Sequence, residues 1–130
     1  MSFKFYTFNE ITNLKRVNFI EIQYCKLKCS TSIIKKVSVN SIMHKQEDSL
    51  YILHSDVNEF EKTYYDIFKN GIYNNLKSGA VDIFGINYYT KKEVNNIIKL
   101  LKEKKIQDHE ILLEWLFKSL NYNGIYILGI

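Results

Sequence analysis

The chain has 130 residues, a formal net charge of +4, 46% hydrophobic residues and 15% aromatic residues. This composition excludes an intrinsically disordered chain, because disordered chains are poor in aromatic residues and highly charged. The length predicts a single domain over residues 1–130, since domains most often have ~100–150 residues. No apolar run approaches the ~20 residues of a membrane helix, and the N-terminus lacks a signal-peptide pattern. We therefore predict a cytoplasmic protein with no membrane partner.

Charge is unevenly distributed along the chain. Residues 1–45 carry a net charge of +6, residues 46–66 carry −5, and residues 67–130 carry +3. A mildly basic chain therefore contains one acidic stretch.

The first half of the chain predicts strands. Apolar residues alternate with polar ones over 19–24 and again over 25–29, which is typical of strands with one wet face. The phase of this alternation changes between Tyr24 and Cys25, which indicates a bulge or a turn of the strand's face. Further strands are predicted at 3–8, 34–43 and 50–54, with one helical turn at 9–16 capped by Asn9 and a polar hairpin loop at 45–49.

The second half predicts three helices, at 56–69, 90–105 and 108–121. Asp56 with Glu59, and Thr90 with Glu93, have the spacing of a capping box, and Gly71 is predicted to end the first helix. Residues 70–89 read as irregular, with a short strand at 81–84.

The last segment, 124–129, predicts a strand that is apolar at nearly every position. Such a strand is typical of a central position, covered on both faces. Strands followed by helices indicate an α+β fold. We predict an antiparallel sheet from the N-terminal half, joined by the C-terminal strand and packed against the three helices.

Motifs for nucleotide binding or catalysis are absent from the sequence. The chain has no P-loop, no dinucleotide fingerprint, no nucleophile elbow and no paired-histidine zinc motif. We therefore predict that the protein is not an enzyme and needs no cofactor. Cys25 and Cys29 would lie ~13 Å apart on a strand, too far to share one metal ion. We predict two free thiols and no metal site.

Two other functions stay open at this point. A small metal-free ribonuclease could use His44 and His54 as acid and base, because the ordinary histidine pKa suits both roles. A nucleic-acid-binding module could use the lysines of residues 26–36 and 99–105. Against the second, arginine, which best makes bidentate contacts with phosphate and guanine, occurs once.

Protein binding is the function that the acidic stretch favours. Acids interspersed with tyrosines suit a surface for a basic partner, since charge steers the encounter and aromatic rings anchor it. The predicted interface consists of Asp56, Glu59, Glu61, Tyr65, Asp66, Asp82, Tyr88 and Tyr89.

Three strings in the C-terminal half carry a resemblance to a known class of proteins. They are Phe84-Gly-Ile-Asn-Tyr-Tyr-Thr-Lys-Lys-Glu-Val94, Leu112-Leu-Glu-Trp-Leu116 and Tyr122-Asn-Gly-Ile-Tyr-Ile-Leu-Gly-Ile130. Over roughly residues 80–130 the chain resembles bacterial immunity proteins encoded beside polymorphic or contact-dependent growth inhibition toxins.

This resemblance implies a non-catalytic protein that binds one cognate toxin domain and blocks its active site. Immunity proteins have many unrelated folds, so the resemblance assigns no site residue. Inhibitors of basic nuclease toxins are usually acidic, and here only residues 46–66 supply that charge. Either this stretch forms the interface, or the toxin is not a basic nuclease.

Overall fold

The computed structural model describes residues 3–15 and 17–129. They form one seven-stranded antiparallel sheet with five α-helices, which confirms the predicted α+β class. The strands are β1 (Tyr6–Thr7), β2 (Phe19–Tyr24), β3 (Leu50–Leu53), β4 (Gly71–Ile72), β5 (Ser78–Gly79), β6 (Ile86–Tyr89) and β7 (Ile125–Leu128). The helices are α1 (Phe8–Thr12), α2 (Ile33–Lys36), α3 (Val57–Thr63), α4 (Lys91–Lys104) and α5 (His109–Ser119).

The C-terminal strand lies at the centre of the sheet. The strand order is β1-β3-β2-β7-β6-β4-β5, so that β7 pairs with β2 on one side and β6 on the other. All four residues of β7 are buried. The central position predicted from the apolar sequence is confirmed.

Helices α3, α4 and α5 contribute to the main apolar core on one face of the sheet, which we call the helix face. Ile20, Ile22 and Tyr24 of β2 point into this core, as the two-residue period of a strand requires. An aromatic group closes one end of the core, with neighbouring ring centroids 5.4–6.2 Å apart. Its members are Phe3, Phe5, Phe60, Tyr64 and Phe68.

A long connection between β2 and β3 covers the opposite face, which we call the loop face. It holds α2 and one turn of 3-10 helix at Val39–Ser41. Val37 and Cys25 pack there against Tyr126, whose hydroxyl donates a 2.6 Å hydrogen bond to the carbonyl of Lys36. The predicted strands at 25–29 and 34–43 are therefore wrong. The chain leaves the sheet after Tyr24, which explains the change of phase at that point, and 45–49 is not a hairpin loop.

The predicted helices are present, with different ends. Helix α4 matches its prediction, and the Glu93 amide donates to the Thr90 hydroxyl at 3.1 Å as the capping pattern requires. Helix α3 ends at Thr63 and continues as turns, and Asp56 makes no side-chain cap. Gly71 lies in β4 and does not end a helix.

Two shorter segments also differ from their predictions. Thr7, not Asn9, caps α1 through a reciprocal pair with Glu10, so only Tyr6–Thr7 of the predicted first strand pairs. Arg16 lies outside the described residues. The segment predicted as irregular forms β4, β5 and β6, whereas 81–84 is not a strand.

Candidate functional site: an acidic groove beside helix α5

The predicted acidic residues of α3 do not share one face. Positions 59 and 61 lie about 200° apart around a helix axis. Asp66 follows the helix and lies 3.7 Å from the ammonium of Lys104, at the basic end of α4. Tyr65 is exposed, while Asp56, Glu59 and Glu61 are half-buried. The surface around α3 is therefore of mixed charge.

The prediction that Tyr88 and Tyr89 are available to a partner is wrong. Both lie in β6, with 2% and 0% of their surface exposed. The Tyr88 hydroxyl donates a 2.6 Å hydrogen bond to the carbonyl of Asn123, and burial raises the pKa of both phenols. Asp82 is exposed in the turn before β6, where its carboxylate accepts a 3.0 Å hydrogen bond from the amide of Phe84.

The two histidines of the ribonuclease hypothesis do not line one cleft. His44 borders a cleft of about 320 Å³ beside Asp82 and Phe84, and His54 is not part of its lining. His54 is exposed in a 3-10 turn that follows β3. No metal-binding group of three His, Cys, Asp or Glu residues occurs within 3–15 and 17–129.

The lysines of the nucleic-acid hypothesis lie on opposite sides of the sheet. Residues 26–36 belong to the segment that covers the loop face, whereas 99–105 belong to the end of α4 on the helix face. Lys36 lies 5.6 Å from the centre of the Tyr88 ring and Lys102 lies 5.2 Å from that of Phe117. The two groups do not form one continuous basic surface.

Strand β3 separates the acidic stretch into two parts. Glu47 and Asp48 precede the strand and Asp56 follows it, and four residues of strand span ~13 Å. The first part meets α5, where it forms the edge of a groove with a volume of about 520 Å³. We call this the acidic groove. Its lining residues are Thr7, Tyr24, Glu47, Asp48, Ser49, Leu50, Ile111, Glu114, Trp115, Lys118, Asn121 and Tyr122.

Three stacked aromatic rings form the floor of the acidic groove. Tyr24 lies between Trp115 and Tyr122, with ring centroids 4.1 and 4.9 Å away. The Tyr24 hydroxyl donates to the carbonyl of Trp115 at 2.9 Å, and the indole nitrogen of Trp115 donates to the carbonyl of Asp48 at 2.7 Å. The stack therefore connects β2 and α5 to the loop at residues 43–49, which we call the acidic loop.

The acidic groove has a local charge opposite in sign to that of the whole chain. Glu47, Asp48 and Glu114 against Lys118 give the lining a formal charge of −2, while the whole chain carries +4. Lys26 lies just outside, with its ammonium 2.7 Å from the Asp48 carboxylate and 5.8 Å from the centre of the Tyr122 ring. One cation of the chain therefore already lies at the edge of the groove, between a carboxylate and an aromatic face, and offsets one of its negative charges.

Binding is the chemistry that this arrangement supports. The carboxylates attract cationic side chains through charge. Of the three stacked rings, the half-buried Tyr122 is the one that lies beside a cation, Lys26, as a cation–π contact requires. Ile111, 46% exposed, adds an apolar edge. Every buried side-chain nitrogen or oxygen among the described residues has a hydrogen-bond partner.

Sequence reasoning missed most of the acidic groove. Glu114 and Trp115 are neighbours in the helix predicted at 108–121, and the pattern of that helix assigns neither of them to a binding site. The contact that creates the groove joins residues 67 positions apart. No short-range pattern in the sequence signals such a contact.

Comparisons with known proteins give no match. No protein-family model matches the chain, and neither a curated protein nor a solved structure shows significant similarity to it. None of the described helices is long and apolar enough to cross a membrane.

Proposed function

We propose that the protein binds a basic protein partner through the acidic groove and acts as an immunity protein that neutralises a toxin domain. The observation that carries this proposal is the groove itself, a local charge of −2 above three stacked aromatic rings on a chain of charge +4. Charge of this kind steers a basic partner to the site, and a fully desolvated aromatic centre contributes most of the binding energy at protein interfaces.

Neutralisation would be steric and electrostatic. A basic segment that borders the toxin's active-site cleft would lie in the groove, and the body of the immunity protein would then cover the cleft. The resemblance of residues 80–130 to immunity proteins motivates the toxin-neutralising part of this proposal, but it assigns no residue to the binding surface. The protein would act without turnover, in the cytoplasm.

The surface of α3 is the second surface to test. It includes two exposed residues of the predicted interface, Tyr65 and Asp66. Its acidic residues do not share one face, and Asp66 lies beside Lys104, which makes this surface the weaker candidate. A paired mutagenesis experiment separates the two surfaces.

The test uses the C-terminal toxin domain encoded by the adjacent upstream gene. The wild-type protein should bind this domain at one-to-one stoichiometry and abolish its toxic activity. Glu47→Lys combined with Glu114→Lys should weaken binding by roughly 100-fold or more, because two attractive charges become repulsive. Asp56→Lys combined with Glu59→Lys is the matched control and should leave binding within roughly threefold.

Loss of binding only in the α3 variant would move the interface to α3. Binding to nucleic acid alone, with no inhibition of the toxin domain, would contradict the proposed function.

A further inference from the structure

A buried carboxylate on the loop face accepts hydrogen bonds from the loop that precedes β3. Glu21 of β2 is 2% exposed and lies between Tyr51 of β3 and Leu128 of β7 in the sheet register. None of the ion pairs among the described residues includes it. A buried carboxylate without a cationic partner is costly unless hydrogen-bond donors surround it.

Four donors surround the Glu21 carboxylate, and three of them belong to the acidic loop. The amides of Lys45 and Gln46 donate to it at 2.7 and 3.0 Å, and the hydroxyl of Ser49 donates at 2.6 Å. The fourth donor is the side-chain amide of Gln23, at 3.0 Å. One side chain of the sheet therefore satisfies two consecutive backbone amides and one hydroxyl of the loop.

The backbone of the loop is shaped to make these contacts. Lys45 adopts a positive φ of 61°, which is uncommon for a residue with a side chain. Further bonds close the loop around the carboxylate, since Gln23 donates to the carbonyl of Met43 at 2.7 Å and Tyr51 donates to that of Gln46 at 2.5 Å. Glu47 and Asp48 follow directly and line the acidic groove.

We infer that Glu21 is a positioning residue that sets the geometry of residues 43–49 and thereby presents Glu47 and Asp48 to the partner. The part of this inference that concerns the partner rests on the proposed function. Without the carboxylate, the amides of Lys45 and Gln46 lose their acceptor, and a buried unsatisfied donor is unfavourable. The loop then leaves the sheet, and its contact with Trp115 is broken.

The central variant is Glu21→Gln, which keeps the size of the side chain and replaces one acceptor oxygen by a donor. Three measurements follow it. Amide hydrogen exchange of residues 45 and 46 measures how firmly the acidic loop is held. Fluorescence emission of Trp115, the only tryptophan in the chain, reports changes in the environment of the groove. Titration with a hexa-arginine peptide measures the affinity of the protein for cations. We expect exchange to rise and peptide affinity to fall, each by about tenfold, with a shift in emission.

Two controls separate positioning from general destabilisation. Ile52→Val removes one methyl group from the helix-face core and lowers the melting temperature without touching the loop. Glu59→Gln removes the same charge on α3. Neither should change the exchange of residues 45 and 46. Ser49→Ala, which deletes one donor to Glu21, should show the same changes in weaker form. It keeps the inference testable if Glu21→Gln fails to fold.

Each outcome decides a separate point. Wild-type exchange and emission in both Glu21→Gln and Ser49→Ala would overturn the inference. A released loop with unchanged peptide affinity would overturn the link between Glu21 and the groove. A released loop in the variants, together with a wild-type protein that binds no hexa-arginine, would support the loop's dependence on Glu21 and contradict the basic partner of the proposed function.

Discussion

The two faces of the sheet are covered in different ways. The helix face lies against regular helices through an apolar core that includes the aromatic group around Phe60. The loop face lies under a connection with little regular structure, tied down by polar contacts such as those of Glu21 and of Asn123, whose side chain donates to the carbonyl of Leu27 at 2.8 Å. Apolar packing dominates the helix-face layer, whereas the loop-face layer combines a smaller apolar cluster with individual hydrogen bonds, and the acidic groove lies where the two layers meet.

The largest expected effect is unfolding at alkaline pH, to which buried tyrosines on both faces contribute. Burial raises the pKa of seven tyrosines above the ordinary value of 10.0. Six of them, all except Tyr73, show a large rise. Three lie on each face: Tyr24, Tyr64 and Tyr89 on the helix face and Tyr51, Tyr88 and Tyr126 on the loop face.

The sign of the effect follows from linkage. In the unfolded chain these phenols ionise at about pH 10, while in the folded protein they stay neutral to higher pH. The stability they contribute is fully present below about pH 10 and is lost as pH rises further. We expect unfolding and ionisation to coincide when circular dichroism and tyrosinate absorbance are followed together. Ionisation of the six phenols near pH 10 in a fully folded protein would contradict their burial.

The next effect separates the two faces. Phe60→Ala removes a fully buried ring from the aromatic group and should lower the free energy of unfolding by ~3–5 kcal/mol. Val37→Ala, which removes a smaller buried side chain under the loop, should lower it by roughly 1–2 kcal/mol. Denaturant unfolding monitored by circular dichroism measures both changes. A greater loss for Val37→Ala would show that the loop face contributes more to stability than its composition indicates.

The smallest effect compares one helix cap on each face. Thr90→Ala removes the cap of the 14-residue helix α4 and should cost about 1 kcal/mol. Ser32→Ala removes the cap of the four-residue helix α2, whose residues are not buried, and should cost less than about 0.5 kcal/mol. Thermal unfolding of the two variants measures the difference. Equal losses would mean that α2 is as strongly coupled to the fold as α4.

The same contrast explains what could be predicted from the sequence. Strands β2, β3 and β7 and helices α4 and α5 were predictable, because their apolar residues repeat with a clear period. The segment 34–43 also alternates, but it forms a short helix and a 3-10 turn, from which Val37 and Ile42 reach the loop face while Ile34 and Val39 stay exposed. Period alone does not distinguish such a cover from a strand.

The candidate site was less predictable for a related reason. The sequence shows the acidic stretch, but it does not show that β3 divides it. The predicted interface lies on the part after β3, whereas the part before β3 meets α5. Tyr88 and Tyr89 fall in the segment 70–89, which the sequence predicts to be irregular, whereas β6 pairs with β7 and buries both. These outcomes depend on contacts between residues far apart in the chain, which local patterns do not encode.

Amide hydrogen exchange of the complex with the cognate toxin domain tests the central claim most directly. We predict increased protection at 46–50 and 111–122, the two sides of the acidic groove, with little change at 26–36 and 99–105. Protection confined to 56–66, or to either lysine group, would contradict the groove as the binding site.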